Sequence, residues 1–473
     1  MCNFGDMTIS EFAAGVRGAL PYEPNRQQSL LIDALSRYCA SAPRDPSVFI
    51  VNGYAGTGKT SLTGALVKCL QALGRQVVLL APTGRAAKVF SLAAGHPAST
   101  IHRKIYRGPT GDLTGSNTIL QHNTLNDAVF IVDEASMIGD GEGETAETSL
   151  LGDLMEYVFT GDNNRLILLG DTAQLPPVGS DFSPAMAPET FKELGLKVSR
   201  ATLTDTVRQA KSSGILYNAT WLRRAMLLDP LPTAHLRVQG FTDVIPVTGE
   251  DVADVVGDLY REDGPGEVIV VTRSNRRATA FNLAVRQRIL DLEEELSKGE
   301  RLLVAKNNYM WSAKIKELDF IANGDVAIVR QIIAMEERHG LRFATVLLNL
   351  PDKDVDVECK IILDTLTDDS ASLSRERMQA LAEARMADPE YNAPDDPFEK
   401  RLRRLRTDPY FNALQVKYAY AVTCHKAQGA QWRNVIVDLG GIPPEAQGMD
   451  FYRWLYTAVT RATKRLYLLN HEL

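Results

Sequence analysis

Residues 48–62 read VFIVNGYAGTGKTSL, an apolar run that leads through a glycine-rich turn into a lysine and a threonine. The turn has the phosphate-loop pattern G-x-x-x-x-G-K-[ST], at Gly53, Gly58, Lys59 and Thr60. Val48 to Val51 is typical of a buried strand, and apolar residues recur at helical spacing from Leu62 until Gly74. The stretch therefore predicts a strand, a phosphate loop and a helix.

The chemistry of this loop explains its composition. Glycines at 53, 56 and 58 allow backbone N–H groups to converge on phosphate oxygens, and the following helix adds its positive dipole end. Lys59 would offer a mobile positive charge to the β and γ phosphates, and the Thr60 hydroxyl would ligate Mg²⁺. A glycine-rich turn that binds nothing is the rarer outcome between flanks of this kind. We therefore expect a nucleotide site.

Length, composition and charge limit the class of protein to which the chain can belong. For 473 residues, about three domains of ordinary size are expected. No apolar run approaches the ~20 residues that span a bilayer, and the N-terminus lacks a secretory layout, so we expect a cytosolic protein without a membrane partner. Five scattered cysteines without a C-x-x-C pair argue against disulfides and a zinc module. The net charge of −7 neither supports nor excludes DNA binding, which would need a local basic groove.

Four apolar runs in the first half each end in polar residues, at the phosphate loop, at Thr83 to Arg85, at Asp133 to Ser136 and at Gly170 to Gln174. In a parallel α/β sheet such ends lie on the edge where ligands bind. Asp133 is suited to holding Mg²⁺, and Glu134 to orienting or deprotonating the attacking water. Gln174 is a candidate contact for the γ-phosphate and that water.

Other residues could complete this site. Gln28 opens a helix just upstream of the loop, and its amide can read both the donor and the acceptor on the edge of adenine. The second half repeats the α/β alternation, with apolar runs at 267–271, 418–422, 434–439 and 465–469, but has no second phosphate loop. Such a domain can complete the site from the opposite side. Arg208 and Arg461 are the candidates, because arginines stabilise charge on a transferring phosphoryl group.

Two segments interrupt the α/β pattern. Residues 103–126 contain a basic run before the turn-rich RGPTGDLTGSN, which fits a projecting β-hairpin or, equally, a surface loop. Between residues 298 and 412, short alternating runs with Asn-Gly at 323–324 predict a small β-barrel inserted in the second α/β domain, followed by charged helices. The basic run 400–406 fits either a phosphate-backbone contact or a solvated helix face.

With these residues in place, the chain resembles superfamily 1 DNA helicases, and within them the RecD/Dda-like branch. The resemblance extends over almost the whole length and rests on nine motifs in the family's order: Gln28, GYAGTGKTS (53–61), APTGRAA (81–87), STIHR (99–103), VDEASM (132–137), LGDTAQLPPVG (169–179), VRQ (207–209), TCHKAQGAQW (423–432) and YTAVTRA (456–462).

This resemblance implies an α/β fold of two RecA-like (P-loop NTPase) domains, each with an insertion. Domain 1A would comprise residues 1–102 and 127–197, with the hairpin 1B at 103–126 as the candidate wedge. Domain 2A would comprise residues 198–297 and 413–473, with the insertion 2B at 298–412, an SH3-like barrel plus charged helices.

The implied function is an ATP-dependent DNA helicase that translocates 5′ to 3′ on single-stranded DNA and unwinds duplex junctions, with a place in DNA repair or recombination. ATP and Mg²⁺ would bind in the cleft between the domains, and the protein could act as a monomer. Two alternatives remain open: an RNA or RNA–DNA helicase, and a non-unwinding ATP-driven accessory subunit that binds nucleic acid. Nothing in the sequence indicates a protein partner.

The resemblance also implies roles for individual residues. The nucleotide would contact Gln28, Gly53, Ala55, Gly56, Thr57, Gly58, Lys59, Thr60, Ser61 and Gly429. The metal would contact Thr60 and Asp133, and the catalytic set would be Lys59, Asp133, Glu134, Gln174, Arg208 and Arg461. The DNA backbone would contact Thr83, Thr100, His102, Thr423 and His425. Tyr106 and Arg107 lie on or near the wedge. Gln431 stands where the family often has a glutamate, which predicts looser nucleotide selection.

Overall fold

The computed structural model describes residues 7–40, 45–107, 119–139, 149–206, 212–313, 315, 318, 320–389, 391–393, 395–440 and 443–471. Within them the chain forms two parallel β-sheets, each covered by helices on both faces, and a closed β-barrel. The α/β fold with a barrel, predicted from the sequence, is confirmed.

The first sheet contains the phosphate loop. Its strands are β1 (Ser47–Gly53), β2 (Val77–Ala81), β3 (Ala98–Thr100), β6 (Val129–Val132), β7 (Arg165–Gly170) and β8 (Lys197–Leu203), in the spatial order β3-β2-β6-β7-β1-β8. All of their pairings are parallel. The central strands β1, β6 and β7 are almost wholly buried, as expected for a parallel sheet covered on both faces.

Helices cover both faces of this sheet. They are α1 (Ile9–Gly18), α2 (Arg26–Ala40), α3 (Lys59–Ala72), α4 (Gly84–Ala94), α5 (Ile101–Ile105), α6 (Leu150–Thr160) and α7 (Pro188–Glu193). The first four share a core with one face, and the last three share a core with the other. A short antiparallel pair, β4 (Tyr106–Arg107) and β5 (Ile119–Leu120), forms the base of the segment predicted as a hairpin. Residues 108–118, its predicted tip, lie outside the described residues.

The second sheet has the spatial order β16-β10-β17-β18-β9, again with parallel pairings. Its strands are β9 (Val244–Val247), β10 (Val268–Thr272), β16 (Ala421–Thr423), β17 (Trp432–Asp438) and β18 (Ala462–Leu469). Its helices are α8 (Gly214–Ala225), α9 (Val252–Asp263), α10 (Asn275–Arg288), α13 (Cys424–Ala427) and α14 (Met449–Val459). Helices α8, α13 and α14 pack on one face, and α9 and α10 on the other.

The barrel closes through β11 (Arg301–Val304), β12 (Val326–Arg338), β13 (Leu341–Leu350), β14 (Val355–Ile362) and β15 (Leu414–Tyr418). It shares one continuous hydrophobic core with α9, α10 and the second sheet. Helices α11 (Arg375–Ala387) and α12 (Phe398–Leu405) are inserted between β14 and β15. The insertion is anchored by the buried Arg385, whose guanidinium donates to Asp408 and Asp388.

Two predicted domain limits divide the strands of one sheet or of the barrel. The limit between residues 197 and 198 cuts through β8, which pairs with β1 over its whole length, so the first sheet continues to Leu203. The limit between residues 412 and 413 precedes β15, which closes the barrel against β11 and β14. The predicted run 418–422 is accordingly divided, because the chain leaves the barrel at Tyr418 and enters the second sheet at Ala421.

Two expectations from composition can be compared with the described residues. Cys39, Cys69, Cys359 and Cys424 are all free thiols. Among the helices described, none combines the length and the apolar character that crossing a membrane would require.

Candidate nucleotide site

The phosphate loop joins β1 to α3. Gly58 caps the helix in the left-handed region at φ 81°, where a side chain would be strained, and Lys59 and Thr60 begin the first turn. The Lys59 ammonium donates to Gly53 O within the loop. A Cβ at Gly53 would lie 2.4 Å from Lys59 Cγ, so this position requires glycine for the lysine to cross the loop. The Lys59 side chain therefore crosses the loop, and Thr60 follows it in the first turn of α3.

Two acids follow β6 beside this loop. The pKa of Asp133 is raised to about 6, mainly by burial and in addition by the charge of Glu134. The positive charge of Lys59 opposes this rise. Glu134 has a positive φ of 52°, and its backbone N–H donates to Asp133 Oδ1 at 2.9 Å. A left-handed conformation is unusual for a residue with a side chain and is often found at functional sites. The structure thus brings Asp133, Glu134 and Lys59 together.

Gln28 lies against the loop from the other side. Its side chain is buried, and its Nε2 donates to Thr57 O at 2.9 Å, while its Oε1 accepts from Asn25 N at 3.0 Å. Both ends of the amide are therefore bonded to backbone. Gln28 supports the loop in this arrangement, and an adenine contact would have to replace one of these bonds or use a remaining lone pair.

Gln174 lies in the segment that follows β7. The residue is 6% exposed, and its Oε1 has no hydrogen-bond partner among the described residues. It lines a cavity of about 140 Å³ together with Ser136, Asp171 and Arg453. A buried acceptor without a partner is costly, so this oxygen is available to a polar group or water that enters the cavity.

The second α/β unit covers the phosphate loop. Arg223 of α8 lies over the Tyr54 ring at 4.3 Å, and Ala55 N donates to Tyr456 Oη of α14 at 2.9 Å. A Cβ on Gly56 would lie 2.8 Å from Leu216 Cδ2 of α8. Three consecutive loop residues thus contact the second unit.

The same helices hold the segment after β7. Ala173 and Leu175 pack into the hydrophobic core of the second unit, although they belong to the first unit in the chain. Leu175 N donates to Thr457 Oγ1 at 2.8 Å, and Gln428 Nε2 donates to Leu175 O at 2.7 Å. The candidate nucleotide site therefore lies at the boundary of the two units.

The two predicted arginines differ. Arg461 is 3% exposed and donates to Thr457 O, Ala430 O and Thr460 Oγ1, all within the second unit. In this arrangement none of these three bonds reaches the phosphate loop. Arg208 lies outside the described residues.

Gly429, predicted to contact nucleotide, lies elsewhere on the boundary. A Cβ there would be 3.1 Å from both Ala86 Cβ and Thr83 Oγ1, at the start of α4. Close by, Arg85 of α4 donates to Gln431 O at 3.1 Å and lies 4.2 Å from the Trp432 ring. Gly429 is therefore a point of close approach between the two units.

The predicted DNA contacts lie at the carboxyl ends of neighbouring strands. Thr100 of β3 is in register with Ala81 of β2, two residues before Thr83, and Thr423 of β16 is in register with Thr272 of β10. The hydroxyls of Thr83 and Thr100 cap helices, whereas that of Thr423 makes no cap hydrogen bond.

The two histidines of this set share one property. Burial lowers the pKa of His102 and of His425, so each ring is neutral at pH 7 and would act as a hydrogen-bond donor or acceptor and not as a cation. His102 also lies 5.6 Å, between ring centroids, from Tyr106, whose hydroxyl donates to Asp153 Oδ2. Tyr106 is therefore tied to α6 at the base of the hairpin segment.

Sequence reasoning missed three residues here. Asp171 and Tyr456 lie inside two of the nine motifs. Asp171 is a polar residue at the end of an apolar strand, and Tyr456 carries a hydroxyl on a largely buried helix, so both could have been proposed as site residues. Arg223 lies in WLRRA, where nothing distinguishes it from the exposed Arg224 beside it. Its importance follows only from its contact with Tyr54.

Fold and sequence together define an α/β protein with a phosphate loop that is bounded by a second α/β unit. The family model described as "AAA domain" matches residues 33–227, and that described as "UvrD-like helicase C-terminal domain" matches residues 418–469.

The chain is also similar to individual proteins. The chain is 27% identical to the ATP-dependent RecD2 DNA helicase of Deinococcus radiodurans over 433 residues, which cover 88% of this chain and 46% of the relative. It is 26% identical to the ATP-dependent DNA helicase dda of Enterobacteria phage T4 over 272 residues, 54% of this chain and 55% of the relative. The chain thus spans about half the length of these relatives. A crystal structure of Pif1 helicase from Bacteroides with ADP-AlF3 and ssDNA aligns over 96% of this chain and 93% of its own, with 16% identity and a TM-score of 0.47.

These matches show that the chain is similar to the RecD2 and dda DNA helicases and carries a UvrD-like helicase segment near its C-terminal end. The resemblance drawn from the nine motifs is confirmed.

Proposed function

We propose that the chain is an ATP-driven DNA helicase that moves 5′ to 3′ on single-stranded DNA. One observation carries the proposal: the phosphate loop and the segment after β7 both pack against α8 and α14 of the second unit. A change in the position of the phosphate loop would therefore displace α8 and α14 of the second unit. Alternating closure and opening of two units is how such a site could drive movement along a strand.

In this proposal the residues have separate roles. Lys59 neutralises charge on the β and γ phosphates, Glu134 orients or deprotonates water, and Gln174 contacts the γ-phosphate. Arg208 and Arg461 supply positive charge from the second unit. For Arg461 this requires exchange of at least one of its bonds to Thr457 O, Ala430 O and Thr460 Oγ1.

Mg²⁺ fits the donor set. Among the described residues no group of three or more His, Cys, Asp or Glu could hold a metal, so a cation here would depend on phosphate oxygens as further ligands, as Mg²⁺ usually does. Asp133 is the fitting carboxylate, because burial and Glu134 disfavour its ionised form and a nearby cation would favour it. Asp133 and Thr60 would hold the ion, which when bound neutralises charge on the phosphates.

We further propose that the two units are RecA-like domains, that the barrel is SH3-like, and that the segment 103–126 is the wedge. Single-stranded DNA would lie across the strand ends that carry Thr83, Thr100 and Thr423, with His102 and His425 beside them. The short β4–β5 pair supports the hairpin. Cytosolic location and action as a monomer stay predictions from the sequence.

The decisive experiment is strand displacement on duplexes with a 5′ or a 3′ single-stranded tail. We expect displacement of the 5′-tailed duplex, ATP turnover that rises with single-stranded DNA, and weaker DNA binding at higher salt because phosphate contacts release counterions. Displacement of the 3′-tailed duplex alone would overturn the polarity. No displacement with either tail would favour the accessory subunit, and preference for RNA strands would favour the RNA helicase.

Lys59→Ala tests the site itself. We expect turnover to be abolished and DNA binding to be largely kept, because Lys59 is the cation of the phosphate loop. Lys68→Ala is the matched control, since Lys68 is exposed on the same helix. Full turnover by the Lys59 variant would refute the assignment.

A further inference from the structure

The Tyr456 hydroxyl joins three parts of the molecule. Ala55 N of the phosphate loop donates to it at 2.9 Å, and it donates in turn to Asp171 Oδ2 at 2.6 Å. Tyr456 belongs to α14 of the second unit, whereas its two partners belong to the first. A phenol has one proton to donate, so these two bonds fix the direction of the hydroxyl.

This contact is buried on both sides. Tyr456 and Asp171 are each 1% exposed. Within the described residues Asp171 has no ion-pair partner, and its other oxygen accepts from Ala173 N at 3.0 Å. A buried carboxylate needs its hydrogen bonds, and a bond donated by a hydroxyl to an ionised oxygen is among the stronger kinds. Burial, and then the charge of Asp171, raise the pKa of Tyr456 well above its ordinary value, so the phenol remains a donor.

The segment that starts at Asp171 is held at its far end as well. Leu175 donates its N–H to Thr457 Oγ1, the residue after Tyr456, and Leu175 O accepts from Gln428. Gln174 lies between these two attachment points. Any shift of α14 against the first unit must therefore move Gln174 or break these bonds.

We infer that Tyr456 is a positioning residue that couples closure of the second unit to the phosphate loop and to Gln174. Its bond with Ala55 fixes the position of the phosphate loop, and its bond with Asp171 fixes the position of the segment that carries Gln174. The inference rests on the proposed function and assigns to one side chain the step by which DNA held across both units raises ATP turnover. Tyr456 acts through other groups and need not touch the nucleotide.

Tyr456→Phe tests this with a matched control in the same helix. Tyr452 is also fully buried, and its hydroxyl donates to Pro232 O inside the second unit, so Tyr452→Phe removes a comparable bond that does not cross the boundary. Tyr456→Phe should lose more stability in thermal unfolding than Tyr452→Phe, because the bond that it removes ends on a buried carboxylate, and both variants are compared where they are folded. Steady-state turnover is then measured with and without saturating single-stranded DNA, and nucleotide affinity with a fluorescent ADP.

We expect Tyr456→Phe to lower DNA-stimulated kcat about tenfold, since the buried carboxylate loses its donor, and to keep nucleotide affinity within about threefold. Tyr452→Phe should keep the stimulation of the wild type. The inference would be overturned if DNA stimulated the turnover of Tyr456→Phe as much as that of the wild type. It would also be overturned if both variants lost the same share of this stimulation.

A second variant covers the case in which Tyr456→Phe does not fold. Thr457→Val removes the acceptor of Leu175 N, and we expect it to reduce the DNA stimulation of turnover as well; stimulation at the wild-type level would overturn the inference. Failure of the proposed function is distinguishable, because it would appear in the wild type as turnover indifferent to DNA.

Discussion

Gly429→Ala should weaken closure of the two units without removing any side chain. Gly429 has a φ of 69°, where a residue with a Cβ costs about 1 kcal/mol more than glycine. The new Cβ would also lie 3.1 Å from Ala86 Cβ and Thr83 Oγ1 across the boundary, and relieving such an overlap costs about 1 kcal/mol more. The first cost applies to open and closed forms alike, whereas the second applies only to the closed form.

The ratio of the closed to the open form should therefore fall about fivefold. The assay is energy transfer between a dye on each unit, with nucleotide affinity as the functional readout. Gly74→Ala is the control: Gly74 has a φ of 70°, and a Cβ there would have no further neighbour within 4 Å among the described residues. Both variants should lose stability, but only Gly429→Ala should lose energy transfer. Equal energy transfer in the two variants would refute the reasoning.

Arg223→Ala should raise the Kd for ATP about tenfold, because Tyr54 loses the cation over its ring and Thr204 O loses a hydrogen-bond donor. The control is Arg224→Ala, which changes an exposed neighbour and should keep the wild-type Kd. Equal Kd values in the two variants would contradict the role of Arg223. Burial lowers the pKa of Lys417 to about 8, so the folded state releases a proton before the unfolded state does, and stability should rise between about pH 8 and 10. Lys417→Met should lack this rise in Tm with pH. Parallel curves of Tm against pH for the variant and the wild type would contradict the prediction.

The central strands were predictable because each is a continuous apolar run that ends in a turn or a charged cluster. The edge strands β8 and β9 were not. The sequence of β8 is KVSRATL, with mostly exposed or half-exposed residues, and β9 is VIPV, with a proline that only an edge strand tolerates. Neither has the apolar signal of a buried strand, so their positions follow from pairing with β1 and β18.

The site was predictable where neighbours in sequence are neighbours in space. Lys59 and Thr60 follow from one motif, and Asp133 and Glu134 from the end of one strand. The bond between Ala55 and Tyr456 joins residues 401 positions apart, and no local pattern encodes it. Likewise, no local pattern shows that Arg461 also donates to Ala430 O, 31 positions away.

The common core of the barrel and the second sheet determines how a swing of the second unit spreads through the molecule. Because they are packed as one solid, they would turn together, and a point far from the pivot travels farther than a point near it. The barrel touches the first unit through the ion pair of Lys88 with Asp352, at 2.9 Å. A rotation of the second unit would therefore carry the barrel with it and change the distance between Lys88 of α4 and Asp352.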